Sequence, residues 1–358
     1  MGTSQISNSG PDGFAPERPT AQTDWSARKP FRARRWLAGG HVQTIASFLA
    51  PRRIHLPPAE ERLVAVDAGV KIRCWCYWQS ENRSNALTLI AVHGLEGSSD
   101  SQYMQGIARN ALAAGMNVVL MNQRNCGGMD QCAPTLYNSS LSGDVAAVAR
   151  NVVEQDAVSR FVLIGFSMGG NLVLKLAGEW GSVGPPEFRA VAAVCPAMDL
   201  AASADALHEP ANRLYEYYFL MQLFRRLRTK ARFFPDRFDV SRLRGVSTLR
   251  MFDDRVTAYY CGFAGADDYY ARAAAANVVD RIAVPALIIH AANDPFIRMQ
   301  PETKVRILAN PHITYIETAD GGHCAFMGEP NGDGDDGRWA EREVVDFARH
   351  MGDRARSS

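Results

Sequence analysis

The sequence predicts an α/β fold, with a mostly parallel central sheet flanked by helices and a helical cap inserted before one of the late strands. Three observations carry that expectation. Short, mostly apolar runs recur along the chain, amphipathic segments lie between them, and the alternation breaks once, after Cys195. Runs of this kind suit strands buried on both faces, and strands that alternate with helices are joined by crossovers that cover the sheet.

In chain order, residues 1–30 are rich in Ser, Pro, Gly and charge without periodicity and read as a flexible tail. Residues 61–78 alternate apolar and polar side chains around Asp67, Ala68 and Gly69, the pattern of an antiparallel hairpin. Buried strands are expected at 86–92, 117–121, 161–164, 190–194, 286–290 and 313–316. Helices are expected at 105–114, 143–153 and 171–179, where apolar residues recur at helical spacing. Over 199–277 aromatic and basic helical patterns replace the strand texture, and an insertion of this size within an α/β sheet reads as a cap over the strand ends. The expected division is a core of 31–198 and 278–358 with a cap of 199–277.

Composition narrows the class of function. The chain has 358 residues, 47% of them hydrophobic, enough for a sizeable core. A formal net charge of +1 gives no electrostatic case for nucleic acid. No uninterrupted apolar stretch is long enough to cross a bilayer, and the polar N-terminus lacks the apolar segment of a secretory signal; its opening MGTSQI only loosely resembles a myristoylation signal. The seven cysteines are odd in number and scattered, which fits a reducing cytoplasm. Cys74 and Cys76 would share one face of a strand and read as core; Cys324 reads as packing. No metal site is expected from any cysteine or histidine–carboxylate spacing. Composition sets no oligomeric state.

The chemistry concentrates in three places. GFSMG at 165–169 joins an apolar strand to an apolar helix, and a strand turning abruptly into a helix strains its turn residue while glycines on both sides remove colliding side chains. Ser167 is then a candidate nucleophile, the alternative being a tight turn with an idle serine. A serine hydroxyl needs a base and a group to orient that base. Asp294 follows the strand at 286–290, and His323 lies in the glycine-bearing loop ADGGHCAF after 313–316. Taken singly, Asp294 before Pro295 could only initiate a turn, and His323 could be a hydrogen-bonded loop histidine. Their order, Ser167, Asp294, His323 at successive strand ends, is that of the α/β-hydrolases. The backbone amides of Leu95, in HGLEGSS, and Met168 are the candidate oxyanion hole. His93 reads as a structural hydrogen-bonding residue. The loop HGLEGSS lacks the lysine of a P-loop and no GxGxxG follows the first parallel strand, so nucleotide binding is disfavoured and no cofactor is required.

The chain resembles the YheT-like α/β-hydrolases (AB hydrolase family 4) from about Phe31 onward. The segments that carry the resemblance are GGHVQTI (39–45), HGLEGSS (93–99), NQRNCGG (122–128), TLYNSS (135–140), GFSMGGNLVLKLAGE (165–179), FDDRVTA (252–258), GFAGADDYYARA (262–273), ANDPF (292–296) and GGHCAF (321–326). The resemblance implies hydrolysis of carboxylic esters with short to medium acyl chains, and it carries Ser167, Asp294 and His323 as the triad. It also implies relatives that act as acyltransferases or on lipids. Tyr259, Tyr260 and Cys261 depart from the family pattern in the cap.

The resulting expectation is a serine esterase. An acyltransferase with the same triad, and a non-catalytic ligand-binding protein that keeps the fold, are the alternatives. Two surface features bear on partners. Arg28, Lys29, Arg32, Arg34, Arg35, Arg52 and Arg53 read as a solvated basic face or as a contact for anionic lipid. Tyr215, Tyr218, Phe219, Leu223 and Phe224 read as cap packing, an acyl-pocket lining or a peripheral membrane contact.

Overall fold

The structure is a computed structural model that describes residues 25, 30–330, 332 and 335–352. One eight-stranded sheet runs in the order β1-β2-β4-β3-β5-β6-β7-β8. β1 (Glu60–Asp67) and β2 (Val70–Tyr77) form the antiparallel hairpin, and β2 pairs antiparallel with β4 (Asn117–Met121). The rest is parallel: β3 (Thr88–Val92), β5 (Phe161–Phe166), β6 (Phe188–Val194), β7 (Ala286–Ala291) and β8 (Ile313–Thr318).

Every residue of β3, β4, β5 and β7 is buried. The period-two geometry of a strand sends Ile90 and Val92 into one layer, against helices α3 (Ser142–Asp156) and α4 (Met168–Trp180). Leu89 and Ala91 enter the other layer, against α2 (Gln102–Ala113) and the last helix, α11 (Trp339–Gly352). Phe161 is fully buried, and its truncation to alanine would cost about 3–5 kcal/mol. Cys74 and Cys76 are buried on one face beside Ile72, as their alternation predicts.

Two expectations change. The run at 313–316 was expected to be buried on both faces, but β8 is only half-buried, because it is an edge strand with a neighbour on one side. Arg52 does not belong to a solvated basic face: its guanidinium bonds both carboxylate oxygens of Glu341, at 2.7 and 2.9 Å, and Asp336 at 2.6 Å. The tail expected over 1–30 falls outside the described residues except for Trp25 and Pro30. Trp25 is buried, its ring edge-on to Phe347 of α11 at 5.8 Å.

Between β6 and β7 the chain makes the helical cap: α5 (Leu200–Leu207), α6 (Arg213–Phe233), α7 (Leu249–Phe252), a π-helical turn at Asp253–Ala258, α8 (Tyr259–Cys261) and α9 (Ala266–Ala273). It has an apolar cluster of its own, including Leu220, Leu223, Leu227, Phe252 and Tyr269, which meets the core through Ala197, Phe296 and Ile297. Two further helices, α1 (Gly40–Leu49) before the hairpin and α10 (Pro301–Ala309) between β7 and β8, complete the fold. The chain leaves β3 toward β4 on one side and β5 lies on the other, so the loops after β3 and β5 diverge over a crevice at the carboxyl edge.

Candidate active site

Ser167 sits between β5 and α4 with φ 53° and ψ −119°, a strained conformation for a residue with a side chain. The neighbouring glycines are sterically required. A Cβ on Gly165 would lie 2.2 Å from the Gly169 carbonyl oxygen, and one on Gly169 would lie 2.3 Å from that of Val92. Gly94 brings the loop after β3 against the serine: a Cβ there would be 3.0 Å from Ser167 Cβ.

Asp294, in the turn after β7, is fully buried and its carboxylate is saturated. Oδ1 accepts from the Phe296 and Ile297 amides at 3.1 and 2.9 Å, and Oδ2 accepts from His323 Nδ1 at 2.8 Å. Burial pushes its pKa up, but the facing imidazole and the Ile297 amide outweigh burial and hold it below the ordinary carboxylate value. For His323 burial would lower the pKa; Cys324 and the Asp294 carboxylate prevail and raise it well above the usual histidine value.

The structure thus brings Asp294 and His323 into direct contact. Ser167 Oγ makes no hydrogen bond among the described residues; it and Phe296 line one pocket, and the Phe296 ring lies 4.5 Å from that of His323. Leu95 and Met168 both line that pocket, and the amide of neither donates a hydrogen bond among the described residues. Met168 is the first residue of α4, so the positive end of the helix dipole adds to its N–H. His93 is structural: buried, it accepts from the Gln123 amide at Nε2 and donates through Nδ1 to the Gly94 carbonyl, and burial pushes its pKa down to about 4.

Sequence reading missed the residues that hold the histidine loop. Thr44 of α1 accepts the His323 amide at 2.9 Å. Asn293 accepts the Gly322 amide at 3.1 Å and donates to Asp320 at 2.6 Å, and Asp320 also takes the Gly39 amide at 3.0 Å. GGHVQTI therefore braces the loop that carries His323. Asn171 was missed too. From behind the serine it bonds the carbonyls of Ser139 and Ala273 and the amide of Ala275, tying α4 to the end of the cap.

Above Ser167 lies a pocket with about 890 Å³ of empty space, its open mouth included. Its walls are apolar, among them Leu136, Leu200, Leu207, Phe219, Leu223 and Phe252. Phe219 and Leu223 thus fulfil the pocket-lining reading of the aromatic stripe, while Tyr218 stays exposed and Tyr215 stacks on His41. At the cap side the buried carboxyl of Asp253 accepts from Thr257 and Tyr270 at 2.7 and 2.8 Å, and burial raises its pKa to about 6.

Residues 88–330 match the family model described as the alpha/beta hydrolase fold. The chain is an α/β hydrolase. This α/β hydrolase is 31% identical over 314 residues to YheT of Escherichia coli (strain K12), a provisionally named esterase, covering 86% of this chain and 90% of that one. It is 25% identical over 303 residues to the human protein named phospholipase ABHD3, covering 82% of this chain and 72% of that one. Among solved structures it superposes on the Pyrococcus furiosus esterase Pf2001 with a TM-score of 0.56 at 16% identity, covering 84% of this chain and 99% of that one; this is a likeness of fold.

Proposed function

We propose that this α/β hydrolase is a serine esterase cleaving carboxylic esters with short to medium acyl chains. The observation that carries the reading is the 2.8 Å contact from Asp294 to His323 Nδ1, on the same sheet edge as a serine held in a strained elbow. Asp294 fixes the tautomer, leaving Nε2 as the nitrogen that takes the Ser167 proton while Oγ attacks the acyl carbon. The oxyanion accepts from the Leu95 and Met168 amides. His323 then gives its proton to the departing alcohol, and water cleaves the acyl enzyme by the same path in reverse. Asp294 supports the imidazolium throughout.

The apolar pocket suits an acyl chain, and an acyl lipid is supported by the named phospholipase among the relatives. An exposed apolar face next to the cap supports peripheral contact with lipid: Trp36, Phe48 and Leu49 on one side, Leu214 and Tyr217 on the other, joined by the Phe48–Tyr218 ring contact at 5.7 Å. No helix among the described residues is long and apolar enough to cross a membrane. A panel of p-nitrophenyl esters of graded chain length, run beside Ser167→Ala, tests the reading. Turnover is expected to pass through a maximum with chain length in the parent protein and to vanish in the variant; undiminished turnover in the variant contradicts it.

A further inference from the structure

Two cysteines beside His323 have no step assigned to them in the proposed ester cleavage. Cys195 follows β6 and Cys324 follows His323, and their two sulfurs and an imidazole nitrogen lie within 4.8 Å of one another. Cys324 Sγ is 3.9 Å from His323 Nε2, and the Cys324 amide donates to Cys195 Sγ at 3.5 Å. Both cysteines have left-handed backbones, with φ 42° and 56°, which residues with side chains seldom adopt. Neither forms a disulfide.

We infer that Cys195, Cys324 and His323 form an inhibitory site for a thiophilic divalent cation, with zinc the best fit. Two sulfurs and one imidazole, with a fourth position open to water, are an established zinc ligand set. A tetrahedral zinc would set the sulfur–nitrogen and sulfur–sulfur separations near about 3.6 and 3.8 Å. The 3.9 Å between Cys324 Sγ and His323 Nε2 is already close to this, and the separations from Cys195 Sγ, all within 4.8 Å, need to close by no more than about 1.2 Å. Asp294 already holds Nδ1 at 2.8 Å, the carboxylate–histidine–metal arrangement that fixes the ring and strengthens Nε2 as a donor. Binding releases the two thiol protons to solvent and occupies the Nε2 lone pair, so the base can no longer take the Ser167 proton. Magnesium and calcium, which prefer oxygen, do not compete for this set. The partly exposed His323 and Cys324 side chains provide the entry path.

The effect on turnover rests on His323 being the base, as proposed above; the binding itself does not. Cobalt(II) titrated into the reduced full-length protein reads the site directly, through thiolate-to-metal charge-transfer absorbance. One equivalent per chain is expected, displaced by zinc, with the band lost in Cys195→Ser and Cys324→Ser. Zinc should also protect Cys324 from iodoacetamide in the parent protein, a readout that needs no variant. In the ester assay zinc should silence the parent and a chelator restore it. Cys324→Ser, measured against its own metal-free rate, should need at least about 100-fold more zinc for the same fractional inhibition, since a lost ligand exceeds the loss from an outer-shell partner. Absence of the cobalt band in folded parent protein, or equal zinc inhibition in the cysteine variants, would overturn the proposal. If no ester is turned over at all, the cobalt band and the alkylation result still decide the metal site.

Discussion

Arg226 of α6 grips Glu96 with two parallel hydrogen bonds of 2.8 and 2.7 Å, clamping the cap to the loop that carries Leu95. Tyr137 completes the clamp: its hydroxyl donates to Glu96 at 2.6 Å and accepts the Glu96 amide at 3.1 Å. One turn further along α6, buried Lys230 donates to Asn125 Oδ1 at 3.0 Å and to the carbonyls of Asp130 and Ala133. The cap is thus fastened to the loops after β3 and β4, the first of which carries Leu95, the proposed oxyanion donor.

The clamp predicts that Arg226→Met lowers kcat by about 100-fold, the usual cost of misplacing a reacting geometry by about 1 Å. Arg226→Lys should not restore it, because an ammonium cannot make the paired contact. Removing the arginine also strands a buried carboxylate, at about 3–5 kcal/mol of stability. Steady-state kinetics with a chemical denaturation curve separates the two effects; unchanged kcat in Arg226→Met would remove the clamp from the mechanism.

Asp294→Asn should lower kcat by about 10⁴-fold, as the corresponding change does in serine proteases, by stabilising the wrong histidine tautomer. The Phe296 and Ile297 amides still find an acceptor in asparagine, so the melting temperature should fall little. A loss below tenfold would mean that Asp294 only shapes the turn.

His93 predicts an acid-sensitive fold. Its pKa is about 4 in the native state and about 6.5 unfolded, so between these values the unfolded chain binds the extra proton. Stability therefore falls as pH drops from about 6.5 toward 4, by about 3 kcal/mol for this fully buried group. Urea denaturation at neutral and at mildly acidic pH, for the parent and His93→Gln, checks this. The variant should have the shallower dependence on pH, and an identical one would assign the acid loss to other groups.

The exposed face of α1 predicts binding to lipid. Phe48→Ser with Leu49→Ser should weaken co-sedimentation with phospholipid vesicles by at least about tenfold, given roughly 0.8 kcal/mol per buried methylene, and leave hydrolysis of a soluble ester unchanged. Equal sedimentation of parent and variant would assign that face elsewhere.

Much of this arrangement could be anticipated from local pattern. Buried parallel strands announce themselves as apolar runs, and the sharp strand-to-helix turn at Ser167 needs glycines that stand beside it in sequence. Asp294 and His323 were found because strand ends in a parallel sheet converge. What escaped depends on distances between segments far apart in the chain. Thr44 meets His323 and Arg52 meets Glu341 only after folding, across separations of 279 and 289 residues. The pairing of Cys195 with Cys324 likewise arises from two different strand ends. Arg52 looked like one more surface charge because burial of a guanidinium depends on its partner, which no local window contains.

Whether the proposed acyl enzyme passes its acyl group to water or to an alcohol is a question of partition, and product ratios with added alcohols answer it. An esterase gives alcohol adducts in proportion to the alcohol supplied; a clear excess identifies a transferase.

The most direct measurement is active-site labelling with a fluorophosphonate, followed by peptide mapping on the intact fold. One label per chain on Ser167, lost in Ser167→Ala and strongly slowed in His323→Ala, is expected. Folded protein that takes no label at Ser167, or that labels equally fast without the imidazole, would contradict a serine activated by the His323–Asp294 pair.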